Sequence, residues 1–231
     1  MRKTATALLV LGLLAATSAY ASNAVRISQV YGSGGNYYSC DYVELFNDSN
    51  AAVDIGGWSI QYGSATGATF GSSTYNYALI PAGATIPACG YYLISGYCSG
   101  SGGGPLPITP DLTIGSPPVW QFNFSSSSGK VALFGDQVFN RSCDDAKLVA
   151  IDLVGYGSAN CFETAAAPIT DATSVLVRGA GGATDTDNNS ADFTKVTQPY
   201  AMHNSSSPVN PFCGAVPARS STWGLIKTIY R

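Results

Sequence analysis

Apolar and polar residues alternate along most of this chain with the period of two that is typical of β-strands. Residues 58–62, read Trp-Ser-Ile-Gln-Tyr, show the alternation most clearly and indicate a strand with one buried face. Turn residues recur at about the 8–12 residue spacing of a sandwich or barrel. The pattern predicts strands at 25–31, 41–47, 58–62, 91–94, 119–124, 130–134, 148–154, 174–178 and 193–197.

Loops rather than helices are predicted between these strands, because no amphipathic helical pattern precedes the C-terminal tail. Residues 100–118 hold the densest Gly and Pro cluster and are predicted to form a long surface loop. A length of 231 residues suits one β-sandwich with loops better than two domains. The sequence therefore predicts an all-β fold with long loops.

The N-terminus has the pattern of an export signal. Arg2 and Lys3 precede an apolar run over 7–16, and Ala19-Tyr20-Ala21 fits the small-x-small rule of signal peptidase. We predict that residues 1–21 are removed and that the mature protein is secreted, either extracellular or at the cell surface. No later apolar stretch is long enough to predict a transmembrane segment.

The charge of the mature chain bears on its partners. Removal of Arg2 and Lys3 from 11 basic and 14 acidic residues leaves 9 − 14 = −5. Non-specific binding of nucleic acid or of an anionic membrane needs a basic patch, so neither is expected.

Cysteine usage indicates disulfide bonds. Six cysteines all follow the predicted signal peptide: Cys40, Cys89, Cys98, Cys143, Cys161 and Cys213. An even number in an exported chain is typical of disulfides, although six cysteines allow 15 connectivities. The two local pairs, Cys89–Cys98 and Cys143–Cys161, are our prediction, which leaves Cys40–Cys213. A zinc site is disfavoured, since the chain has no Cys-x2-Cys pair and one histidine, His203.

Catalytic chemistry is not predicted. The chain has no Gly-x-Ser-x-Gly motif, and a lone His203 in a polar loop is expected to face solvent. Six carboxylates are candidates for a glycosidase pair, but nothing in their spacing favours one: Asp41, Glu44, Asp54, Asp111, Asp152 and Glu163. Glu44, between Tyr42 and Phe46, is expected to make a structural hydrogen bond.

Calcium is the one cofactor for which the sequence offers candidate ligands. Asp185, Asp187 and Asn189 alternate, and Asp192 follows closely. Hard cations take such oxygen ligands from one tight loop. The loop lacks the glycine and distal glutamate of an EF-hand, and an Asx-rich turn whose side chains bond the local backbone is the favoured interpretation.

Several segments, in order, resemble a bacterial lamin tail domain. They are 25–32, 41–47, 53–62, 90–94, 128–134, 152–157 and 185–193. The resemblance implies that residues 22–214 form an immunoglobulin-like β-sandwich, and that the domain binds or anchors rather than catalyses. In bacteria such domains often accompany secreted nucleases or phosphoesterases. We expect an anchoring or protein-interaction role at the cell surface or matrix, with a protein or polysaccharide partner, and less readily an accessory role for a nuclease or phosphoesterase.

Abundant aromatic residues make a carbohydrate-binding module the alternative function. Trp58 and Tyr156 are expected in the core, whereas Trp120 and Tyr97 are open candidates for stacking on sugar rings. A glycan binder should present several aromatic rings in one exposed plane, whereas a scaffold should scatter or bury them.

The C-terminal residues 215–231 are predicted to be a spacer followed by an amphipathic tail. As a helix, the tail places Trp223, Ile226 and Tyr230 on one face, with Lys227 and Arg231 as its charges. A segment this short needs a surface to dock on. Either its own domain or an export or surface-sorting receptor provides that surface.

Overall fold

The computed structural model describes residues 24–33, 37–71, 76–96, 98, 102–115 and 122–213. The predicted signal peptide, the tail, Tyr97 and Trp120 lie outside these residues. The strands are β1 (Val25–Tyr31), β2 (Tyr42–Asn47), β3 (Val53–Asp54), β4 (Ser59–Ser64), β5 (Thr69–Phe70), β6 (Tyr77–Leu79), β7 (Thr85–Ile86), β8 (Tyr91–Gly96), β9 (Leu112–Ile114), β10 (Gly129–Phe134), β11 (Arg141–Ser142), β12 (Ala150–Tyr156), β13 (Ser174–Arg178) and β14 (Phe193–Thr197). The chain also forms helices α1 (Cys143–Val149) and α2 (Asn189–Asp192) and a 3-10 turn at Gly179–Gly182.

The strands form two main sheets that pack face to face. The larger sheet has the order β14-β13-β1-β2-β8-β9, and the smaller has the order β12-β10-β4-β6. Neighbouring strands are antiparallel except for the parallel pair β8 and β9. Two short pairs, β3 with β7 and β5 with β11, close the ends of loops. The predicted all-β, immunoglobulin-like sandwich is therefore confirmed.

Side chains that alternate along the strands fill the space between the sheets. Val43 and Leu45 point inward from the larger sheet, and Ile60 and Tyr62 from the smaller. Trp58 was expected in the core, but it is half-buried and packs at the margin. The period of two thus determines which side chains meet at the centre.

The outer face of the larger sheet is buried as well, because residues 198–213 cross it. Tyr42, Leu93 and Met202 belong to one cluster on that face. Gln29 Nε2 donates to the carbonyl of Ala201 at 2.8 Å, which fixes the crossing segment to β1. Polar side chains on these strands are therefore buried rather than solvated.

A buried ion pair links the two sheets. The Arg178 guanidinium on β13 donates to both carboxylate oxygens of Asp152 on β12, at 2.8 and 2.7 Å. Asp152 also accepts from the backbone N–H of Ile27 at 2.6 Å, and Arg178 Nε donates to the Ile27 carbonyl at 2.8 Å. The ion pair therefore provides hydrogen-bond partners for both the backbone N–H and the carbonyl of Ile27 on β1.

The disulfide prediction was wrong in two of its three pairs. The structure contains Cys143–Cys161 as predicted, but pairs Cys40 with Cys98 and Cys89 with Cys213. Cys89 and Cys98 flank β8, and nine residues of extended chain span roughly 30 Å. A disulfide needs Cα atoms within about 7 Å, so each of these cysteines bonds instead across to a neighbouring segment.

Three local predictions also need correction. Helix α1 was not predicted, and it takes up the start of the predicted strand at 148–154, which begins at Ala150. Phe122 and Phe124 lie in the core but join no strand, whereas 119–121 lie outside the described residues. The predicted loop 100–118 contains β9, which extends the larger sheet beside β8.

Breaking the buried ion pair should destabilise the fold strongly. Asp152→Asn keeps an acceptor for the Ile27 N–H but leaves the Arg178 charge buried without a counter-ion, so we expect a loss of about 3–5 kcal/mol in the free energy of unfolding. The exposed pair Lys195–Asp171 offers a control, and Lys195→Met should cost at most about 1 kcal/mol. Denaturant unfolding measures both, and equal losses would contradict the assignment.

Candidate functional site

An apolar groove opens on the surface beside α1. Its lining includes Val138, Phe139, Leu148 and Val149, and its volume is about 330 Å³. Leu148 is 83% exposed, Val138 57% and Val149 52%. Large apolar side chains that are exposed side by side, rather than singly, are typical of surfaces that bind something.

One wall of the groove is a segment that buried side chains of β4 hold in place. Ser59 Oγ donates to the carbonyl of Asp136 at 2.6 Å, and Gln61 Nε2 donates to the carbonyl of Val138 at 2.9 Å. Phe139 packs against the Tyr77 ring at 4.8 Å between centroids. The polar residues of the alternating strand β4 thus anchor the loop that displays Val138.

Helix α1 forms the other wall and is fixed mainly at its start. Ser142 accepts from the Asp145 N–H at 3.1 Å, and the Asp145 side chain accepts in return from Ser142, which is a capping box. The disulfide Cys143–Cys161 ties the first turn to the loop after β12. Ala146 is the one buried residue of the helix, so Leu148 and Val149 project outward.

Arg141 is the basic residue in the lining of the groove. Its Nη2 donates to Asp136 at 2.7 Å, and its guanidinium lies 4.4 Å from the centre of the Phe134 ring. Its Nη1 is shielded from solvent and has no acceptor among the described residues. Asp145 is the acidic residue of the lining. The groove therefore combines apolar walls with charges of both signs.

The four residues of the predicted calcium loop lie close to the buried ion pair. Asp185 binds Arg26 at 2.9 Å and Arg178 at 3.2 Å. Asp192 is buried and accepts from both the N–H and the hydroxyl of Thr186.

Asn189, also buried, donates to the Leu153 carbonyl and accepts from the Gly155 N–H. Asp187 is exposed, with a φ of 55°. Three of the four side chains thus bind groups of the protein itself. Within the part of the chain that the structure describes, no three His, Cys, Asp or Glu residues are grouped as a metal site. The Asx-rich turn stays the favoured interpretation and calcium binding the alternative, and calorimetry with calcium on the native protein and on Asp187→Ala tests it.

Glu44 and His203 meet on the outer face of the larger sheet. Glu44 is buried and accepts from Ser28 Oγ at 2.7 Å, Gln29 Nε2 at 3.0 Å and the backbone N–H of His203 at 2.6 Å. The His203 ring stacks on Tyr91 at 4.3 Å, and its Nδ1 lies 3.2 Å from the Glu44 carboxylate. Glu44 makes the expected structural hydrogen bonds, whereas His203 is half-buried rather than facing solvent.

Other carboxylates named from the sequence bind backbone groups. Asp41 accepts from the N–H groups of Ser33 and Phe124, each at 2.6 Å. Asp111 accepts from the Leu93 N–H at 2.8 Å and from Ser205. These side chains therefore join loops to strands, as Asp152 does.

Glu163 is the carboxylate whose environment is most unusual. It is half-buried next to the Cys143–Cys161 disulfide and accepts from Asn189 Nδ2 at 2.9 Å. Burial raises the pKa of its carboxyl to about 8, and the negative charges of Asp152, Asp185 and Asp187 act in the same direction. The positive charge of Arg178 lowers the pKa of Glu163, but by less than these effects raise it. The folded protein therefore favours the protonated form of Glu163 to a higher pH than is usual for a carboxyl.

The groove was not anticipated from the sequence. Val138, Phe139, Leu148 and Val149 have no periodicity that distinguishes an exposed from a buried position. The one readable signal was the Ser-x-x-Asp spacing of Ser142 and Asp145, which marks a helix start. Even that signal predicts a helix and not the exposure of its last turn.

Comparison with protein-family models gives a match. A family model described as the Lamin Tail Domain matches residues 18–157, more than half of the 231-residue chain. That segment covers β1 to β12, and β13 and β14 complete the larger sheet beyond it. No curated protein matches the chain. None of the helices in the described ranges has the length and apolar character needed to cross a bilayer.

The raised pKa of Glu163 should appear in the pH dependence of stability. The folded state holds this proton up to about pH 8, whereas the unfolded carboxyl releases it near its ordinary value of 4.5. The contribution of this proton to the free energy of unfolding is thus complete below pH 4.5 and is lost as pH rises through 8. We expect a loss of roughly 1–2 kcal/mol, which allows for screening of a half-exposed group.

Glu163→Gln should remove this slope, because an amide keeps the acceptor for Asn189 but has no proton to lose. The exposed carboxylate variant Asp144→Asn should leave the slope in place. Thermal unfolding between pH 5 and 9 measures all three proteins, and an unchanged slope in Glu163→Gln would contradict the assignment.

Proposed function

Because the chain belongs to the lamin tail domain family, whose immunoglobulin-like domain serves protein interaction, we propose that it is a secreted, non-catalytic binding module. Its role is to anchor or contact a protein partner at the cell surface or in the matrix. The partner binds at the groove between residues 136–141 and α1.

The observation that carries this proposal is the exposure of Leu148, Val138 and Val149 on a fixed base. Water leaves these side chains when a partner covers them, and this burial of apolar surface is the main favourable contribution to most protein association. The Cys143–Cys161 disulfide and the capping box hold the helix before binding, so little order is lost on association.

Export is supported by the cysteines and by the N-terminal pattern. All six cysteines are paired in three disulfides. Disulfides persist in oxidising environments such as the periplasm and the cell exterior. Together with Arg2, Lys3 and the Ala19-Tyr20-Ala21 cleavage pattern, they favour a secreted protein.

The distribution of aromatic side chains favours a protein over a polysaccharide partner. Every tyrosine in the described part of the chain is buried or half-buried, including Tyr37, Tyr77 and Tyr200. Stacking on sugar rings needs a row of exposed rings, and the remaining candidates Tyr97 and Trp120 lie outside the described residues. A carbohydrate-binding module stays the alternative function, and a glycan array tests it. An accessory role for a secreted nuclease or phosphoesterase is the less favoured option.

A single substitution in the groove should remove partner binding and leave the fold intact. Leu148→Asp places a charge at an exposed position, so the free energy of unfolding should change by no more than about 0.5 kcal/mol. Capture of a protein from the cell-surface fraction should fall at least about ten-fold, as for the loss of a central interface anchor. Ile169→Asp, at an exposed apolar position near the opposite end of β10, is the matched control. Equal capture by Leu148→Asp and the native protein would contradict the proposal.

Export should leave a mature protein that begins at Ser22 or a near neighbour. Mass spectrometry of the culture medium and envelope fractions measures the N-terminus, and intact Met1 protein recovered only from the cytoplasm would contradict secretion.

Truncation after Arg219 tests the sorting option for the tail, because a sorting signal predicts normal folding with altered localisation.

A further inference from the structure

The groove and Cys213, the last described residue before the C-terminal tail, lie at the same end of the sandwich. Val149 leads directly into β12, whose first residues face the start of β1 through the contact of Asp152 with Ile27. Val25 at the start of β1 pairs with Asn47, and the Asn47 N–H donates to the carbonyl of Gly90, beside the Cys89–Cys213 disulfide. The chain therefore leaves the described domain at Cys213, on the end that carries the groove.

The chain after Cys213 begins with a tether. Residues 214–219 form the predicted spacer, and six extended residues span up to about 20 Å. The following segment, 220–231, carries Trp223, Ile226 and Tyr230 on one face when read as a helix. A helix this short is stabilised only when its apolar face packs against another surface. The exposed apolar walls of the groove provide such a surface.

Charge complementarity favours contact between the tail and the domain. Residues 214–231 contain Arg219, Lys227 and Arg231 and no acidic residue, a charge of +3. Residues 22–213 contain 6 basic and all 14 acidic residues, which gives 6 − 14 = −8. Asp145, in the first turn of α1, places part of that negative charge in the lining of the groove.

From these observations we propose that residues 220–231 of the same chain occupy the groove between residues 136–141 and α1. A tether of a few residues gives an effective concentration in the millimolar range, far above that of a second copy in solution. The proposal rests on the proposed function and specifies it, because a partner must then displace the tail. The apparent affinity for the partner then equals the intrinsic affinity multiplied by the fraction of molecules whose groove is empty.

Site-specific photocrosslinking in the full chain tests the proposal. p-Benzoylphenylalanine replaces Leu148 in one protein and Val138 in another, so that a folding defect at one position does not decide the outcome. The same group in place of Ile169, near the opposite end of β10, is the control. After illumination of dilute protein, peptide mass spectrometry locates the crosslinks and gel electrophoresis separates monomers from dimers.

We expect crosslinks from positions 148 and 138 to residues 220–231 in monomeric protein, and none from position 169. Ile226→Asp should reduce them about ten-fold, because it removes an apolar anchor. Crosslinks at dimer mass would assign the groove to a second copy, and crosslinks confined to residues 22–213, or none, would overturn the proposal. If tail crosslinks are absent while Leu148→Asp still abolishes partner capture, the proposed function stands without this inference. If they form while Leu148→Asp captures the partner normally, the tail and not a partner is the groove's ligand.

Discussion

The Arg178–Asp152 ion pair is the interaction on which the arrangement of the two sheets depends. β1 bulges between Ile27 and Gln29, and the outward N–H and carbonyl of Ile27 bond to Asp152 and Arg178. Two charges removed from water cost several kcal/mol each unless they are paired and hydrogen-bonded. Here the pair also supplies the hydrogen bonds that a neighbouring strand would give. The same guanidinium binds Asp185, so the loop that follows β13 is positioned by this contact too.

Local patterns in the sequence identify strands well because they depend on neighbours along the chain. The predicted strands 25–31, 174–178 and 193–197 agree with β1, β13 and β14 to the residue. Disulfide partners depend instead on which strands lie side by side. Cys40 precedes β2 and Cys98 follows β8, and these strands are antiparallel neighbours, so the two cysteines meet although 58 residues separate them. Sequence proximity favoured Cys89 for Cys98, and the length of β8 excludes that pair.

The candidate site was less predictable than the fold, because its parts are distant in sequence and ordinary in composition. Gln61 holds the carbonyl of Val138 from 77 residues away. Glu44 holds His203 from 159 residues away. Nothing near His203 in the sequence indicates a buried carboxylate partner, so a polar loop with a solvent-facing ring was the reasonable expectation. Only the sandwich, which places residues 198–213 across the larger sheet, brings the two together.

Helix α1 shows how a sandwich can carry an apolar surface without depending on it for stability. Short helices in proteins are usually stabilised by packing an apolar face, yet α1 buries only Ala146. Its capping box and the Cys143–Cys161 disulfide fix its start, and its last residue continues into β12. Leu148 and Val149 therefore add little to folding. Apolar side chains that are held in water by a covalently fixed backbone lose little conformational freedom when they are covered, and that property suits a docking surface.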